Sequence, residues 1–475
     1  MNDTISITAR ARIDTLLDTN SFVEIGAFVT KRNTDYNLME KEAPADGVIT
    51  GYGTINQKLV YVYSQEPKIL GGSIGEMHAR KIQNLYDLAL KTGAPIIGII
   101  DCAGFRLQEA TDALEGFGGV YLKQSIASGI IPQISVVCGM CGGGVAISTA
   151  LTDFTYLSKN AAKLFVNPPN TLNFEHSVTY DTTTSEFREA SGNADMVLDD
   201  ESNLFVKVRE LIDILPSNNS EGCTTEESTD DINRMIHNIE VNNDVKDLLY
   251  EVSDKQYFYE IKENYEKQMV IGFIKLNGRT IGVVANHRNE EKGDAFLSTE
   301  GCYKAERFVR FCDAFEIPLL TLTDVSGYLA DSEEEKTIAS AAAKLTYAFA
   351  NATVPKINLI VGKAFGSAYL TMNSKHIGAD IVFSYKDSKI GMMDSKIATS
   401  IIYEDEINAS TDKLLYLDTK AGEYEEKQIS PIAAAKRGYV DSIIEISSTR
   451  KELIYTFDML YSKRETRPRK KHGTI

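Results

Sequence analysis

The sequence predicts an α/β protein built as two tandem domains related by internal duplication. Three observations predict it: a length of 475 residues, a glycine-rich stretch between an apolar strand and a small-residue helix, and a distant copy of that arrangement. The length exceeds what one hydrophobic core ordinarily fills, so two domains are expected.

In the first half, residues 6–19 read as an amphipathic helix carrying Ile13, Leu16 and Leu17 on one side, and residues 21–25 as a short strand. A hairpin follows, residues 47–55 and 59–63 around the turn Asn56-Gln57-Lys58. The loop Leu70 to Gly75 opens a helix through Ile82 and Leu85. Residues 96–100 form a strand ending at Asp101, and a helix through Leu122 and Ile126 comes next. The apolar run 130–136 then delivers the chain to Val137-Cys138-Gly139-Met140-Cys141-Gly142-Gly143-Gly144, read as a turn, with residues 145–150 starting a helix. Strand, glycines and helix aim backbone N–H groups at an anion with no side chain in the way. A phosphate and a developing oxyanion both fit that geometry.

The second half repeats the order: a hairpin at 270–278 and 281–284, a helix 299–315, a strand 317–323 ending at Asp324, a helix 337–350, a strand 354–361 and a glycine turn 362–368. Asp101 and Asp324, Gly104 and Gly327, Pro132 and Pro355, Gly139 and Gly362, and Gly143 and Gly366 are all separated by one and the same offset. A shared offset at strand ends and turns is the mark of duplication, and two copies give a pair of domains rather than a solenoid. The boundaries read as 1–220 and 245–475, with an exposed polar connector over roughly 215–247. Residues 428–440 and 449–463 are further helices, followed by a basic tail through His472 that reads as a solvated end or subunit contact.

Composition narrows the function classes. A formal net charge of -17 and a pI near 5.0 argue against broad binding to nucleic acid or anionic membranes. No secretory signal and no bilayer-length apolar stretch is visible, and six scattered cysteines suit reduced thiols, so a cytoplasmic location is expected. Cys138-x-x-Cys141 lacks a second ligand pair and reads as packing. No GxxxxGK[ST], HExxH or His/Cys cluster occurs, so no metal site is expected. The glycines at 71, 72 and 75 lack the strand–GxGxxG–helix context of a dinucleotide loop. Two turns of paired amides with no strong nucleophile beside them suit chemistry in which charge develops on two carbonyl oxygens, each donor being worth about 3–4 kcal/mol in a dry site.

Several motifs carry a resemblance. They include Gly51-Tyr52-Gly53-Thr54-Ile55-Asn56, Leu70 to Lys81, Ser128 to Ser135 and Ala150-Leu151-Thr152-Asp153-Phe154 in the first half. Arg310 to Phe315, Asp324-Val325 with Gly327-Tyr328, Tyr347 to Ala350, Lys375-His376 and Lys470-Lys471-His472-Gly473 follow in the second. In these the chain resembles the carboxyltransferase (β) subunit family of biotin-dependent acyl-CoA carboxylases, which includes propionyl-CoA carboxylase β, the transcarboxylase large subunit and acyl-CoA decarboxylase α subunits.

The resemblance implies a crotonase-like (ββα-superhelix) fold in each half, an acyl-CoA side in the first domain and a biotin side in the second. It also implies a homohexamer built as a trimer of dimers, with active sites between subunits. Gly143 and Gly144 become the catalytic amides that hold the acyl-CoA thioester oxygen as an enolate; Ser367 and Ala368 become those that hold the ureido oxygen of biotin. Gly104, Phe105, Arg106, Gly142, Gly327, Tyr328, Gly366 and Leu370 become substrate-binding. The implied reaction moves a carboxyl group between carboxybiotin and the α-carbon of a short acyl-CoA, with no metal in this chain. No Met-Lys-Met biotinylation site is visible, so the biotin sits on a separate carrier. The implied partners are that biotin carboxyl carrier and a biotin carboxylase, or a decarboxylase membrane complex. Decarboxylation or transcarboxylation through the same site, and a non-catalytic paralogue, are the alternatives.

The chain departs from the family pattern at Phe105, where Ala is usual, at Ser367, where Gly is usual, and at Leu370, where propionyl-type members carry Asp. An acidic loop, Asp331 to Glu335, stands where a small neutral one is expected, and residues 167–195 diverge.

Overall fold

The computed structural model describes residues 7–32, 38, 41–172, 181–222, 227–237, 244–288, 293–468 and 472–473. Cys223, residues 173–180 of the divergent stretch, and Lys470 and Lys471 of the tail lie outside them. The chain divides into two compact units, Met1–Gly222 and Cys223–Ile475.

The first unit runs α1 (Ala9–Leu16), β1 (Val23–Ile25), β2 (Val48–Ile55), β3 (Lys58–Gln65), α2 (Glu76–Thr92), β4 (Ile96–Cys102), α3 (Ala110–Ala127), β5 (Gln133–Gly142), α4 (Gly144–Ala150), β6 (Phe154–Ser158), β7 (Lys163–Phe165), α5 (Ser185–Ala190), β8 (Met196–Leu198) and α6 (Glu201–Ile214). Its sheet has the order β1-β2-β3-β4-β5-β6-β8, with β7 pairing the far end of β5. The first three strands are antiparallel and the rest parallel. All seven residues of β4 are buried, which is why it reads as an unbroken apolar run rather than an alternating one. Ile82, Leu85 and Ala89 of α2 and Phe117 and Val120 of α3 pack with Ile96, Ile100 and Val137 of the sheet in one core.

The second unit runs α7 (Val245–Val252), β9 (Phe258–Ile261), β10 (Met269–Leu276), β11 (Arg279–Asn286), β12 (Phe296–Leu297), α8 (Thr299–Ala314), β13 (Leu319–Val325), β14 (Gly327–Tyr328), α9 (Ile338–Asn351), β15 (Lys356–Phe365), α10 (Gly366–Thr371), β16 (Ile381–Tyr385), β17 (Lys389–Gly391), α11 (Ser395–Ile402), α12 (Glu404–Ala409), α13 (Lys413–Tyr424), α14 (Pro431–Lys436), β18 (Ser442–Ile444) and α15 (Thr449–Leu460). Its sheet order, β18-β16-β15-β13-β11-β10-β9 with β17 on β15, matches the first. The duplication reaches single pairs. The irregularity between β4 and β5 ends on Cys102 opposite Cys141, and that between β13 and β15 ends on Val325 opposite Ala364, both positions shifted by the same offset.

Three expectations need correction. The stretch Cys138 to Gly142 is strand, not turn, because β7 pairs with its far end; Gly362 to Phe365 is strand for the same reason, through β17. Part of the connector is not exposed: Ile236 is 2% exposed and sits in the second core, where Arg234 donates to the carbonyls of Glu251 and Ser253. The helix expected over 428–440 is a π-helical turn Glu425–Ile429 followed by α14, which Ser430 caps by accepting from the Ala433 N–H.

Candidate functional site

In each unit the strand before the turn is latched by an aspartate. Asp101, at the end of β4, accepts the Met140 N–H on Oδ1 at 3.2 Å and the Arg12 guanidinium on Oδ2 at 3.0 Å; Arg12 also grips Glu201 at 2.8 Å. Asp324 accepts the Lys363 N–H at 2.7 Å and pairs with Arg288. The carboxylates lie so close that a Cβ on Gly139 would stand 2.2 Å from Asp101 Oδ1, and one on Gly362 2.4 Å from Asp324 Oδ1. Gly142 is fixed by another neighbour, since its Cβ would meet the Phe165 ring at 2.9 Å. Three of the glycines in the two motifs are therefore packing residues.

The turn itself is one residue in each copy. Gly143 has φ 62° and Gly366 φ 60°, the left-handed region that favours glycine. The Gly143 N–H donates to the Phe165 carbonyl at 2.9 Å as the last rung of the β5–β7 pairing, so it is not one of the amides open to an oxyanion. Of the expected pair Gly143 and Gly144, the first thus spends its N–H on the sheet. Gly144, the first residue of α4, has an N–H with no intrahelical acceptor. A second open donor belongs to the loop after β4: among the described residues the Phe105 N–H meets no acceptor, while its neighbours are bridged, Ile74 N–H to Gly104 O at 2.9 Å and Arg106 N–H to Ile74 O at 3.0 Å.

Around Gly144 the side chains are crowded. A Cβ on Gly144 would meet Tyr121 Oη at 2.9 Å, Phe105 Cζ at 3.2 Å and Phe117 Cε1 at 3.2 Å, and Tyr121 donates its hydroxyl to Gly144 O at 2.6 Å. Gly104 is buried with φ 108°, and its Cβ direction faces Gly142 O. Arg106 is placed differently from the expectation. It is 1% exposed, and its guanidinium is spent on Asp46, on Glu109 at 2.9 Å and on Ser73 O at 2.7 Å. It anchors the 103–106 loop and presents nothing to a ligand.

The buried surroundings are neutralised or paired. Burial and the nearby Arg106 push His78 down to about 3, so it is a neutral imidazole, with Nδ1 at 2.9 Å from Asp46 O and Nε2 at 3.2 Å from Gln65. Burial lowers Lys81 to about 8 and its duplicate Lys304 to about 7, and each ties down carbonyls of a preceding loop: Ala45 and Val48 for Lys81, Lys262 and Tyr265 for Lys304. Cys138 and Cys141 are buried free thiols pushed upward by burial, as packing residues are. Gly72 and Gly75 are steric too: a Cβ on Gly72 would stand 2.2 Å from Asp101 O, and one on Gly75 2.5 Å from the Glu109 carboxylate.

In the second unit Ser367 is exposed in the first turn of α10 with ordinary φ, so its side chain costs the turn nothing. A Cβ on Gly366, by contrast, would lie 3.3 Å from Met392 O. Ala368 is buried, Leu370 is 39% exposed, and Tyr328, on the short strand that pairs with β12, shares a hydrogen bond with Thr371 at 3.2 Å. The acidic loop has a structural use. Glu334 accepts the Thr299 N–H at 2.6 Å at the start of α8, as Glu109 accepts the Glu76 N–H at 2.7 Å at the start of α2. The described residues hold no cluster of three metal-ligating side chains, and none of their helices is long and apolar enough to cross a membrane.

Sequence reasoning missed Arg12, Arg288, Tyr121 and Phe165. Arg288, two residues after β11, carried no recognisable signal, and the others act only through contacts distant in sequence.

A latched strand, a one-glycine turn and a short helix, present twice, define a duplicated α/β scaffold with one such turn in each unit. Residues 4–475 match the family model described as carboxyl transferase domain, and the chain belongs to that family. It is 40% identical over 485 residues to the propionyl-CoA carboxylase beta chain of Roseobacter denitrificans, and 40% identical over 485 residues to the methylmalonyl-CoA decarboxylase subunit alpha of Veillonella parvula; each alignment covers 99% of this chain and 93% of the relative. Among solved structures it is similar to transcarboxylase 12S with methylmalonyl-coenzyme A and methylmalonic acid bound, at TM-score 0.94 and 36% identity, covering 98% of this chain and 91% of that one. The fold is the crotonase-like one.

Proposed function

We propose that the chain is the carboxyltransferase component of a biotin-dependent acyl-CoA carboxylase, moving a carboxyl group to or from the α-carbon of a short acyl-CoA. The observation that carries this reading is the duplication of the latched turn. One amide site serves a thioester oxygen and the other the ureido oxygen of biotin. Both oxygens gain negative charge as the reaction proceeds, and fixed N–H donors stabilise that charge without reorganising.

In the first unit Gly144 and Phe105 donate to the thioester oxygen. Gly143 supplies the bend, and Gly104 and Gly142 keep the approach narrow. In the second unit Ser367 and Ala368 donate to the biotin oxygen; Gly366 leaves the cradle that a Cβ would fill against Met392 O, with Gly327, Tyr328 and Leu370 around it. That open cradle suits a flat ureido ring. Biotin, when docked on its carrier, supplies the carboxyl group in activated form. The chain's own work is to orient the two substrates and stabilise both oxygens.

Partners follow from the same reading: other copies of this chain in a hexamer built as a trimer of dimers, a separate biotin carboxyl carrier, and a biotin carboxylase. A cytoplasmic place belongs to it too. The equal identity to a methylmalonyl-CoA decarboxylase alpha subunit favours a second reading, in which the site runs in the decarboxylating direction beside a membrane complex. Purified protein incubated with biotinylated carrier and labelled methylmalonyl-CoA should transfer label to the carrier. No exchange with methylmalonyl-CoA or malonyl-CoA would overturn the reading.

A further inference from the structure

The ring of Phe105 is partly exposed, 38%, and stands next to Gly144. We propose that Phe105 sets an upper limit on acyl chain length, so that the first site takes acyl groups of two to four carbons and rejects longer ones. The inference rests on the reading of that site as the holder of an acyl-CoA thioester.

Three features place the ring in the path of the acyl chain. Phe105 carries one of the open N–H donors, and its Cζ comes within 3.2 Å of where a Cβ on Gly144, the other donor, would stand. An acyl group whose thioester oxygen is held at the Gly144 amide therefore has the ring as a neighbour. The ring is apolar and 38% exposed, and Ile147, one turn along α4 from Gly144, is 45% exposed. Together they offer an apolar lining for a short alkyl group. A polar acyl tail finds no partner on either.

The ring is also held in place. It packs at a tilt against Phe117, centroids 4.4 Å apart, and Phe117 is 1% exposed and meets Tyr121 edge-on at 5.4 Å. The backbone on both sides is bridged to Ile74, and the next residue is the buried Arg106 with its bonds to Asp46, Glu109 and Ser73. A side chain on a free loop would swing aside for a longer chain. This one has aromatic packing behind it and anchored backbone beneath it, so added methylenes meet a wall.

The duplicate position sharpens the assignment. Phe105 and Tyr328 are equivalent under the offset that relates the two halves, and both stand on the same short parallel bridge, to Ile74 and to Leu297. Tyr328 ends in a hydroxyl bonded to Thr371. The same backbone post thus bears an apolar stop in the first unit and a polar one in the second.

Calorimetric titration of the full-length protein with acetyl-, propionyl-, butyryl-, hexanoyl- and octanoyl-CoA tests this, with free CoA as reference. In the unsubstituted protein affinity should fall at least tenfold between butyryl- and hexanoyl-CoA, the scale on which packed pockets discriminate by methylenes. In Phe105→Ala that fall should vanish, and in Phe105→Leu it should move to longer chains; Phe105→Leu carries the test alone if the alanine variant fails to fold. An unchanged chain-length profile in these variants, with acyl-CoAs still bound, overturns the chain-length role and leaves the acyl-CoA reading standing. No acyl-CoA binding above free CoA in the unsubstituted protein overturns both.

Discussion

Asp101 and Asp324 hold the same post in the two units, each accepting one backbone N–H of the neighbouring strand, from Met140 at 3.2 Å and from Lys363 at 2.7 Å, and each paired with an arginine. The carboxylate stands where a Cβ would be on the residue before, which is why Gly139 and Gly362 are glycines. Gly139→Ala and Gly362→Ala should each destabilise the protein by about 1–3 kcal/mol through overpacking, or displace the aspartate from its N–H. Urea unfolding measures the first, and loss of carboxyl transfer the second.

Gly366 and Ser367 should respond in opposite ways. Gly366→Ala puts a Cβ on a residue with φ 60° and 3.3 Å from Met392 O, a strain of about 1–2 kcal/mol that reaims the two following amides. Carboxyl transfer should fall at least tenfold. Ser367→Gly keeps the N–H and an unstrained backbone, so activity should stay within about twofold. Equal loss in both variants, measured by carrier-dependent exchange, would show that the serine side chain and not the amide matters.

Arg106→Met should be among the most damaging single changes in the first unit. It leaves Asp46 and Glu109, both nearly inaccessible, without a counter-charge, a loss of about 3–5 kcal/mol. Arg106→Lys keeps the charge but not the three-way grip. It should unfold at intermediate denaturant and weaken acyl-CoA binding, because the 103–106 loop loses its anchor.

Acid should act through His78. Its folded value of about 3 lies below the ordinary 6.5 because burial disfavours the cation. The unfolded chain therefore binds a proton between these values that the folded protein does not. Stability is fully present above pH 6.5 and is lost as pH falls from there toward 3, by at most about 1.4 kcal/mol per pH unit from this group. His78→Gln should flatten that part of the stability profile in urea titrations.

Much of this was legible in the sequence where the signal is local or repeated. The paired hairpins, the runs 96–100 and 317–323 and the shared offset all correspond to observed elements. The turn was less legible. Cys138 to Gly142 reads as loop by composition, yet it is strand because Lys163–Phe165 pairs with it, and only that distant partner makes the glycines compatible with an extended chain. Arg106 reads as a ligand-facing arginine in a motif; its burial depends on Asp46, far earlier in the chain. The acidic loop reads as a disturbance, and Glu334 turns out to cap α8. What escaped was in each case a contact whose two ends are far apart in sequence.

The latch on the first turn ties together residues from both ends of its unit. Arg12 reaches Asp101 across 89 positions and Glu201 across 189. No segment synthesised before Glu201 contains all of the bracing. The bracing of the first turn is thus completed only when Glu201, near the end of the unit, has joined Arg12. A first unit cut before α6 keeps the Asp101 partner of Arg12 and loses the Glu201 one.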